Sequence, residues 1–352
     1  MISFIICFAV LVIAYFAYGK LLERVVGINP KADVPSKTMN DGMDYIPMPL
    51  WKTFLIQFLN IAGLGPIFGA ILGAAYGPVA FIWITVGGIF LGATQDFMAG
   101  VISLRNGGAN FPDVVGQYLG VNVKHFMRVA TLILMILVGS VFMSGPADIL
   151  TGYIPIGKNV WLLIICVYYV VATLLPIDKV IGKVYPIFGV VLLTMAALIL
   201  YLLIFDGYLV KVPEIDFTNY NFKKESLPII PTMLITIACG AISGFHTTQS
   251  PLMARCLNSE SECRPVFYGA MISESIVALI WAAIAMSFFG GTDGLNEVIK
   301  ETSGSAAIII DRITTTTLGS IGTALVVLGV VFAPISTGDT ALRMARLIAV
   351  VQ

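Results

Sequence analysis

Long apolar stretches alternate with short polar segments along almost the whole chain. A helix that crosses a lipid bilayer needs about 20 predominantly apolar residues. Nine stretches meet that requirement, at roughly 2–19, 53–76, 79–103, 125–144, 159–175, 184–205, 228–250, 266–289 and 318–335. The fourth is expected to stop at Gly145-Pro146, and a short extra helix is expected near 295–312. The pattern predicts an all-α polytopic membrane protein.

Two of these stretches are interrupted near their middle. Residues 63–70 read Gly-Leu-Gly-Pro-Ile-Phe-Gly-Ala, and residues 239–246 read Cys-Gly-Ala-Ile-Ser-Gly-Phe-His. Glycine and proline release backbone groups from the helical hydrogen-bond ladder. At membrane depth such groups are tolerated only where they pack in protein or line a wet cavity. Broken helices at comparable places in two halves mark the binding site of many secondary transporters, so both breaks are expected to line one substrate site.

Composition agrees with a membrane protein and narrows the possible partners. The 352 residues are 58% hydrophobic and 11% charged, with a mean hydropathy of +0.94, whereas soluble domains carry about 25% charged residues. The formal net charge is zero, so the expected partners are the bilayer and a small-molecule substrate, and not nucleic acid. No nucleophile, metal-ligand or phosphate-binding motif is present, which predicts a protein that is not an enzyme. No cofactor is expected apart from H⁺ or Na⁺ as a coupling ion.

The basic residues indicate how the chain is threaded. With the N-terminus outside, fourteen of the 20 Lys and Arg residues fall in inner segments, as the positive-inside preference requires. Residues 1–52 then form an extra N-terminal helix with a cytoplasmic loop. Residues 53–206 form a five-helix repeat that begins with a broken helix, and 226–352 begin an inverted copy in which three helices are visible. An incomplete second repeat predicts that the chain is a fragment of a longer protein.

Several motifs resemble those of the carbon starvation protein A (CstA) family of bacterial transporters, in the same order along the chain. They are Gly63-Leu64-Gly65-Pro66, Gly92-Ala93-Thr94-Gln95-Asp96-Phe97-Met98, Ile237-Ala238-Cys239-Gly240-Ala241-Ile242-Ser243-Gly244-Phe245-His246, Tyr268-Gly269-Ala270-Met271 with Glu274-Ser275, and Pro334-Ile335-Ser336-Thr337-Gly338-Asp339-Thr340-Ala341-Leu342-Arg343. The chain departs from the family at Thr247-Thr248-Gln249-Ser250-Pro251, where a Ser/Thr/Gly-rich run is expected. That departure leaves the substrate open.

The resemblance implies a leucine-transporter-like bundle of the amino-acid/polyamine/organocation superfamily, built from five-plus-five inverted helices. It implies uptake of peptides or of pyruvate across the bacterial inner (plasma) membrane. It also implies a cation site at the first break, where Ala62 would supply backbone and Ser336 and Thr337 hydroxyls. Oxygen ligands suit a hard cation, but capping of the end of the ninth helix explains a Ser/Thr/Gly cluster equally well.

The residues of the two breaks are the candidate substrate ligands. Glycine lets backbone approach a ligand closely, and a half-helix that starts at a break offers unpaired N–H groups to a carboxylate. The candidates are Gly63, Gly65, Pro66, Gly69, Ser243, Gly244, His246 and Thr247. The alternative for the glycines is a packing face between membrane helices. The alternative for His246 is a hydrogen bond to a backbone carbonyl that the break has released.

Four polar residues, three within spans and one just after the ninth span, are candidates for proton coupling or gating. Glu274 lies near mid-bilayer, where a carboxylate is costly enough to suggest function, and a proton could bind to it and leave during transport. Asp96, with Gln95, is expected to pair with a basic residue such as Arg105 and lock the inner gate. Asp339 follows the ninth span. The alternative for Glu274 is a structural hydrogen bond to a neighbouring helix, and the alternative for Asp96 is likewise a structural role.

Together these features predict a secondary active transporter that imports a small carboxylate-bearing nutrient with H⁺ or Na⁺ by alternating access. The alternative is a channel, or a nutrient sensor with a transporter fold.

Overall fold

The computed structural model describes residues 1–154, 156–175 and 181–349. Over these residues the regular structure is helical, without a β-strand. In the first half the helices are α1 Ile2–Phe16, α2 Tyr18–Val26, α3 Pro35–Thr38, α4 Leu50–Ala62, α5 Ala70–Ala74, α6 Ala80–Val86, α7 Ala93–Arg105, α8 Phe111–Leu119, α9 Val121–Tyr153, α10 Lys158–Leu174 and α11 Ile181–Phe205. Widened π-helical turns at Gly65–Gly69 and Gly87–Gly92 join α5 and α7 to the residues before them.

The second half has the same character. Its helices are α12 Leu234–Thr236, α13 Ala238–Ala241, α14 His246–Ala254, α15 Gly269–Phe288, α16 Thr292–Glu301, α17 Ala306–Leu325 and α18 Phe332–Ala349. π-Helical turns precede α12, α15 and α18.

Six continuous helical stretches within the described residues are long and apolar enough to cross a membrane, at Ile2–Val26, Ala80–Arg105, Val121–Tyr153, Tyr185–Phe205, Glu260–Phe288 and Ala306–Ala349. A seventh is the bent pair of Leu50–Ala62 and Gly65–Ala74, whose two halves meet at 51°. The fifth predicted stretch is a shorter apolar helix, α10, and the seventh is divided into pieces by its break. The chain is therefore an all-helical multi-pass membrane protein, and the nine-span count stays a prediction.

Two helix ends that were predicted next to a proline are wrong, because the helices continue past Pro146 and Pro334. α9 does not stop at Gly145-Pro146 but continues to Tyr153. Pro146 lacks the N–H that would bond the carbonyl of Phe142, and the Tyr169 hydroxyl donates to that carbonyl instead, at 3.3 Å. A neighbouring helix thus satisfies the released group, and the helix has no reason to end.

The ninth stretch differs in the same way. It runs from Ala306 to Ala349 and bends at Gly319, whose φ of 56° and ψ of −136° are not helical. Pro334 comes just after the π-helical turn Val326–Val331, and such local widening lets a membrane helix continue through a proline. The prediction that Ser336, Thr337 and Asp339 follow a helix end is therefore wrong, and they lie inside α18. The expected helix near 295–312 is two elements, α16 and the start of α17.

The bundle is organised around α15. Almost every side chain of this helix is buried, including Glu274 and Trp281. A helix that is apolar on all sides belongs at the centre of a bundle, and α1, α4, α5, α6 and α11 pack around it. By contrast, α9 and α10 expose large apolar side chains such as Leu137 and Leu163. Those outer faces are suited to lipid.

Contacts between chain segments define one end of the bundle, here called the Met1 face. The Met1 ammonium lies 3.0 Å from a carboxylate oxygen of Glu214, and Asn296 Nδ2 donates to the Ala75 carbonyl at 2.9 Å. Hydrogen bonds from the Ser3 hydroxyl and amide, together with the N-terminal ammonium, lower the pKa of Glu214 to about 2. This carboxylate therefore stays ionised at any physiological pH.

The opposite end of the bundle is called the Asp44 face, after Asp44 in the loop between α2 and α4, and it has its own set of contacts. The Met48 amide donates to the Cys256 carbonyl at 3.0 Å. Arg105 forms an ion pair with Glu260, which is almost completely buried. These contacts tie the loop between α2 and α4 to the segments that follow α7 and α14.

Candidate functional site

The two breaks meet inside the bundle. α4 ends at Gly63, whose φ of +35° and ψ of −133° a side chain would strain. Two residues later, a Cβ on Gly65 would lie 2.0 Å from Cys239 Cβ. A Cβ on Gly69 would lie 2.7 Å from the Thr236 carbonyl oxygen. The glycines of the first break therefore allow the backbone to approach the segment that leads into the second break.

The second break, Ile242–Phe245, separates α13 from α14. Ile242 is extended, with φ of −159° and ψ of 131°. Gln95 on α7 holds this segment in place, because its Nε2 donates to the Ser243 carbonyl at 3.2 Å and also to the Thr247 hydroxyl. Gln95 thus contacts two of the predicted substrate residues.

Three ionisable side chains meet where α14 begins. His246 Nδ1 lies 3.7 Å from Asp96 Oδ2, and His246 Nε2 lies 3.7 Å from Glu274 Oε2. All three side chains have 0% exposure. The carboxylate oxygens and both imidazole nitrogens have no hydrogen-bond partner among the described residues. Asp96, His246 and Glu274 are called the buried triad below.

The triad is suited to holding protons. Transferring an isolated ionised carboxylate into a nonpolar interior is very costly, so a buried carboxyl is either paired or protonated. An imidazole between two carboxyls provides both choices, because imidazolium can balance one carboxylate while the other carboxyl keeps its proton. The distances of 3.7 Å are too long for hydrogen bonds. A shortening of about 0.5 Å would bring either carboxyl within hydrogen-bond distance of the imidazole.

The predicted partner of Asp96 is wrong. Arg105 lies at the far end of α7, where it pairs with Glu260 and donates to the carbonyls of Val26 and Gly27. Nine residues separate Asp96 from Arg105, so along a helix the two lie about 13 Å apart. Asp96 faces His246 instead, which brings it to the same place as Glu274.

The residues of the expected cation site also lie at the first break. Thr337 Oγ1 donates to the Leu59 carbonyl at 2.9 Å, within the last turn of α4. Ala62 is completely buried nearby in the same turn. Ser336 donates within its own helix, to the Ala333 carbonyl at 2.6 Å. The Leu59 carbonyl and the Thr337 hydroxyl therefore meet at the first break and could bind a hard cation, whereas the Ser336 hydroxyl is bonded within α18.

Asp339 does not share partners with the triad. It accepts hydrogen bonds from the hydroxyls of Tyr185 and Thr173, the latter at 3.5 Å, and Arg343 lies close enough to interact with its charge. These partners are on α10, α11 and α18. Asp339 therefore belongs to a second polar cluster, although the sequence analysis grouped it with Asp96 and Glu274.

Gln57 and Asn60 are two further polar residues at the first broken helix. Both are completely buried on α4, and none of their side-chain nitrogen or oxygen atoms has a partner among the described residues. Three residues apart, they share one face of the helix. Polar side chains inside a spanning segment were the available signal, because such residues usually face the bundle interior.

The family model described as "Carbon starvation protein CstA" matches residues 1–157 and 145–325. The chain belongs to the CstA family. Its motifs at both breaks and around Glu274 lie within these matched residues. The family prediction made from those motifs is therefore confirmed.

Relatives within the CstA family differ in how much of their length the chain covers. An uncharacterized membrane protein of Haemophilus influenzae is 42% identical over 350 residues, covering 85% of this chain and 94% of that protein. The peptide transporter CstA of Bacillus subtilis is 27% identical over 335 residues, covering 77% of this chain and 55% of the transporter. The pyruvate/proton symporter BtsT of Escherichia coli is 26% identical over 362 residues, covering 79% of this chain and 48% of the symporter. The chain thus spans about half the length of the latter two relatives, which are named as transporters and not as enzymes.

Proposed function

We propose that this chain works as a secondary active transporter that imports a small carboxylate-bearing nutrient together with protons. The observation that carries the proposal is the buried triad, because three ionisable groups without hydrogen-bond partners among the described residues lie next to two helix breaks that meet. Intramembrane ionisable residues that face a bundle interior are typical of proton relays. The names of the B. subtilis and E. coli relatives support transport of a peptide or of a pyruvate-like acid.

The two breaks provide the substrate site in this proposal. α14 begins at His246, so the positive end of its dipole faces the second break and favours an anionic group there. The His246 and Thr248 amides already bond the Ser243 and Phe245 carbonyls. His246, the first residue of α14, directly follows the second break and is itself a member of the buried triad. A carboxylate bound between the breaks would therefore lie close to the proton-holding triad. Substrate binding and protonation are then coupled by direct electrostatic contact.

The proposed architecture is a leucine-transporter-like inverted repeat. The repeats would occupy 53–206 and 226–352, with 1–52 as an additional helix and loop. Each repeat begins with a broken helix, and the two broken helices pack against each other. We place the Met1 face outside and the Asp44 face inside a bacterial plasma membrane, which puts most basic residues on the inner side.

Uptake into proteoliposomes tests the function. Radiolabelled pyruvate, a dipeptide and an amino acid are each offered under an imposed pH gradient, a sodium gradient, or neither. We expect one substrate to accumulate when the interior is alkaline, and a protonophore to abolish that accumulation. Uptake that follows only the sodium gradient would move the coupling role to the site at Leu59 and Thr337. Uptake that ignores both gradients would contradict coupled transport.

Replacing His246 with alanine is expected to raise the apparent KM about tenfold or more. In this proposal the imidazole of His246 donates a hydrogen bond to the substrate carboxylate. A hydrogen bond to a charged group contributes about 1.5–3 kcal/mol to the free energy of binding, and about 1.4 kcal/mol corresponds to a factor of ten. Initial rates of uptake over a range of substrate concentrations give the KM. The control is His125→Ala, which alters the other histidine, exposed near the start of α9. An unchanged KM in His246→Ala would reduce His246 to a structural residue.

Thr337→Val removes the hydroxyl that donates to Leu59 and keeps the volume of the side chain. If protons are the coupling ion, uptake driven by a pH gradient is expected to remain independent of sodium in this variant. Loss of one hydrogen bond should lower the free energy of unfolding by about 1 kcal/mol. A variant that needs more sodium for half-maximal uptake than the parent would instead identify the Thr337 hydroxyl as a sodium ligand.

A further inference from the structure

A polar cavity of about 550 Å³ lies at the Asp44 face. Its lining combines acidic and basic side chains with backbone from the ends of several helices. The lining includes Asp44, Asn106, Ala109, Arg255 and Arg346. Such a lining differs from the apolar surfaces that face lipid, and it indicates a water-filled space.

Three helices lead from the breaks to this cavity. α7 carries Asp96 in its first turn and ends beside Asn106, while α14 begins at His246 and ends beside Arg255. α18 carries Thr337 and, nine residues later, Arg346. α14 packs against both α7 and α18. At 1.5 Å per residue, each path from the site to the cavity is about 14 Å long.

The triad is nevertheless closed off, since its three side chains have no exposed surface. An ion-pair cluster lies at the boundary between the cavity and the helices. Arg343, 0% exposed, places Nη1 3.3 Å from Asp44 Oδ1, and Arg346 Nη2 lies 3.2 Å from Asp44 Oδ2. Asp44 thereby joins the loop between α2 and α4 to α18.

Arg343 also binds the end of a third element. Its Nη2 donates to the carbonyls of Ala172 and Leu175 at 2.8 and 2.7 Å, at the C-terminal end of α10. A cation is favourable there because helix C-termini carry partial negative charge. One side chain therefore connects α10, α18 and the loop that carries Asp44. Breaking the contact with Asp44 is costly because it takes a carboxylate partner from a buried arginine, and it leaves Arg343 with Asp339, whose carboxylate already accepts hydrogen bonds from Tyr185 and Thr173.

We propose that this cavity is the inner mouth of the transport path and that Asp44, Arg343 and Arg346 form the latch that closes it. The proposal rests on the proposed function, since it assigns one gate of an alternating-access transporter. Opening the latch would let α18 separate from the Asp44 loop and expose the paths along α7 and α14. The same helix that contacts the first break at Thr337 carries the latch at Arg343 and Arg346. Events at the site can therefore be transmitted to the gate along α18.

Cysteine labelling tests the position of the mouth. Ala109→Cys is introduced into the cavity, in a Cys166→Ser background because Cys166 is an exposed native thiol. A membrane-impermeant methanethiosulfonate reagent is added to right-side-out or inside-out vesicles. We expect the thiol introduced at position 109 to react only from the inner side, and its labelling to block uptake. The matched control is Ala307→Cys, which lines a cavity near Tyr153 and Asp311 and should react only from the outer side.

The latch is tested with a deeper cysteine. Ser250→Cys replaces a completely buried hydroxyl on α14, between His246 and Arg255. Adding Asp44→Asn is expected to raise the labelling rate of this thiol from the inner side about tenfold or more. The buried Arg343 then has no carboxylate at position 44 to pair with, so the latch is weakened and opens more often. Asp44→Glu should restore the slow rate. Met286→Cys places a thiol at a completely buried position near the C-terminal end of α15. This thiol should stay unreactive with aspartate, asparagine or glutamate at position 44.

Labelling of the Ala109→Cys variant from the outer side, or an unchanged labelling rate of Ser250→Cys when Asp44→Asn is added, would overturn the proposal. If the thiol of Met286→Cys also becomes reactive, Asp44→Asn has unfolded the bundle. In that case Arg346→Gln replaces Asp44→Asn, because it removes the partly exposed arginine and keeps the pair of Asp44 with Arg343. The labelling rate of Ser250→Cys from the inner side then tests the latch. Uptake by the parent chain in the same vesicles tests the proposed function separately.

Discussion

Glu274→Gln is expected to reduce proton-driven accumulation of substrate to the level of liposomes without protein. Glutamine keeps the shape of the side chain but cannot bind and release a proton. Glu274 lies in the second turn of α15 with 0% exposure, 3.7 Å from His246, and it has no hydrogen-bond partner among the described residues. Replacing Glu274 with glutamine therefore removes its ability to bind and release a proton without removing a hydrogen bond. Accumulation under an inwardly directed proton gradient is the measurement.

Counterflow distinguishes loss of coupling from loss of folding. When labelled substrate outside exchanges for unlabelled substrate inside, no net proton movement is required, so Glu274→Gln should retain exchange. Glu297→Gln is the matched control, because it makes the same change at an exposed carboxylate on α16 and should leave both processes intact. Accumulation at the parent level in Glu274→Gln would refute the proton role of this residue.

The breaks could be predicted from sequence because their cause is local. Glycine and proline within an apolar stretch disturb a helix wherever that helix packs, and Gly63 adopts a backbone conformation that other residues avoid. Membrane depth then requires both breaks to be packed in protein or to line a wet cavity. The meeting of Gly65 with Cys239 follows the expectation that the two interruptions line one site, although the residue-by-residue contact could not be read from either segment.

The triad could be predicted only as separate residues. Asp96, His246 and Glu274 were each selected because charge inside a membrane is costly, yet their contacts depend on how α7, α14 and α15 are rotated against one another. Sequence distance pointed Asp96 toward Arg105, which lies on the same helix but a membrane leaflet away. Arg105 finds Glu260, on a segment more than 150 residues later. Packing, and not proximity along the chain, selects the partners of buried charges.

The errors at proline have a related origin. A proline removes one hydrogen bond from its own helix, and the sequence of that helix alone predicts a stop. In this bundle the Phe142 carbonyl that Pro146 releases is bonded by Tyr169 of α10. The compensating group belongs to another helix, so the continuation of α9 to Tyr153 could not be seen in its own residues. The same lesson applies to Asp44, whose partners lie on α18, about 300 residues away.

Gly65→Ala is expected to abolish transport. An added Cβ would lie 2.0 Å from Cys239 Cβ and 2.5 Å from its Sγ, distances at which the two segments must separate. Overpacking of a well-filled interior costs about 1–3 kcal/mol, so the folded protein should persist with a lower melting temperature. Uptake and thermal unfolding of the purified protein are the two measurements. Gly152→Ala is the matched control, because no atom lies within 4 Å of the added Cβ there.

Removing the opposing side chain should reverse the defect. In Gly65→Ala with Cys239→Gly, the Cys239 Cβ and Sγ are both gone, and the nearest remaining atom is the Cα of residue 239, at 3.5 Å. That is an ordinary van der Waals distance, so the two breaks can meet again and we expect uptake to recover. Cys239→Gly alone should transport with modest loss of stability, since a helical glycine costs about 1 kcal/mol. Parent-level uptake in Gly65→Ala alone would mean that transport does not require close contact between the breaks. Recovery only in the double variant would tie transport to that contact, because the added methyl is the same in both proteins.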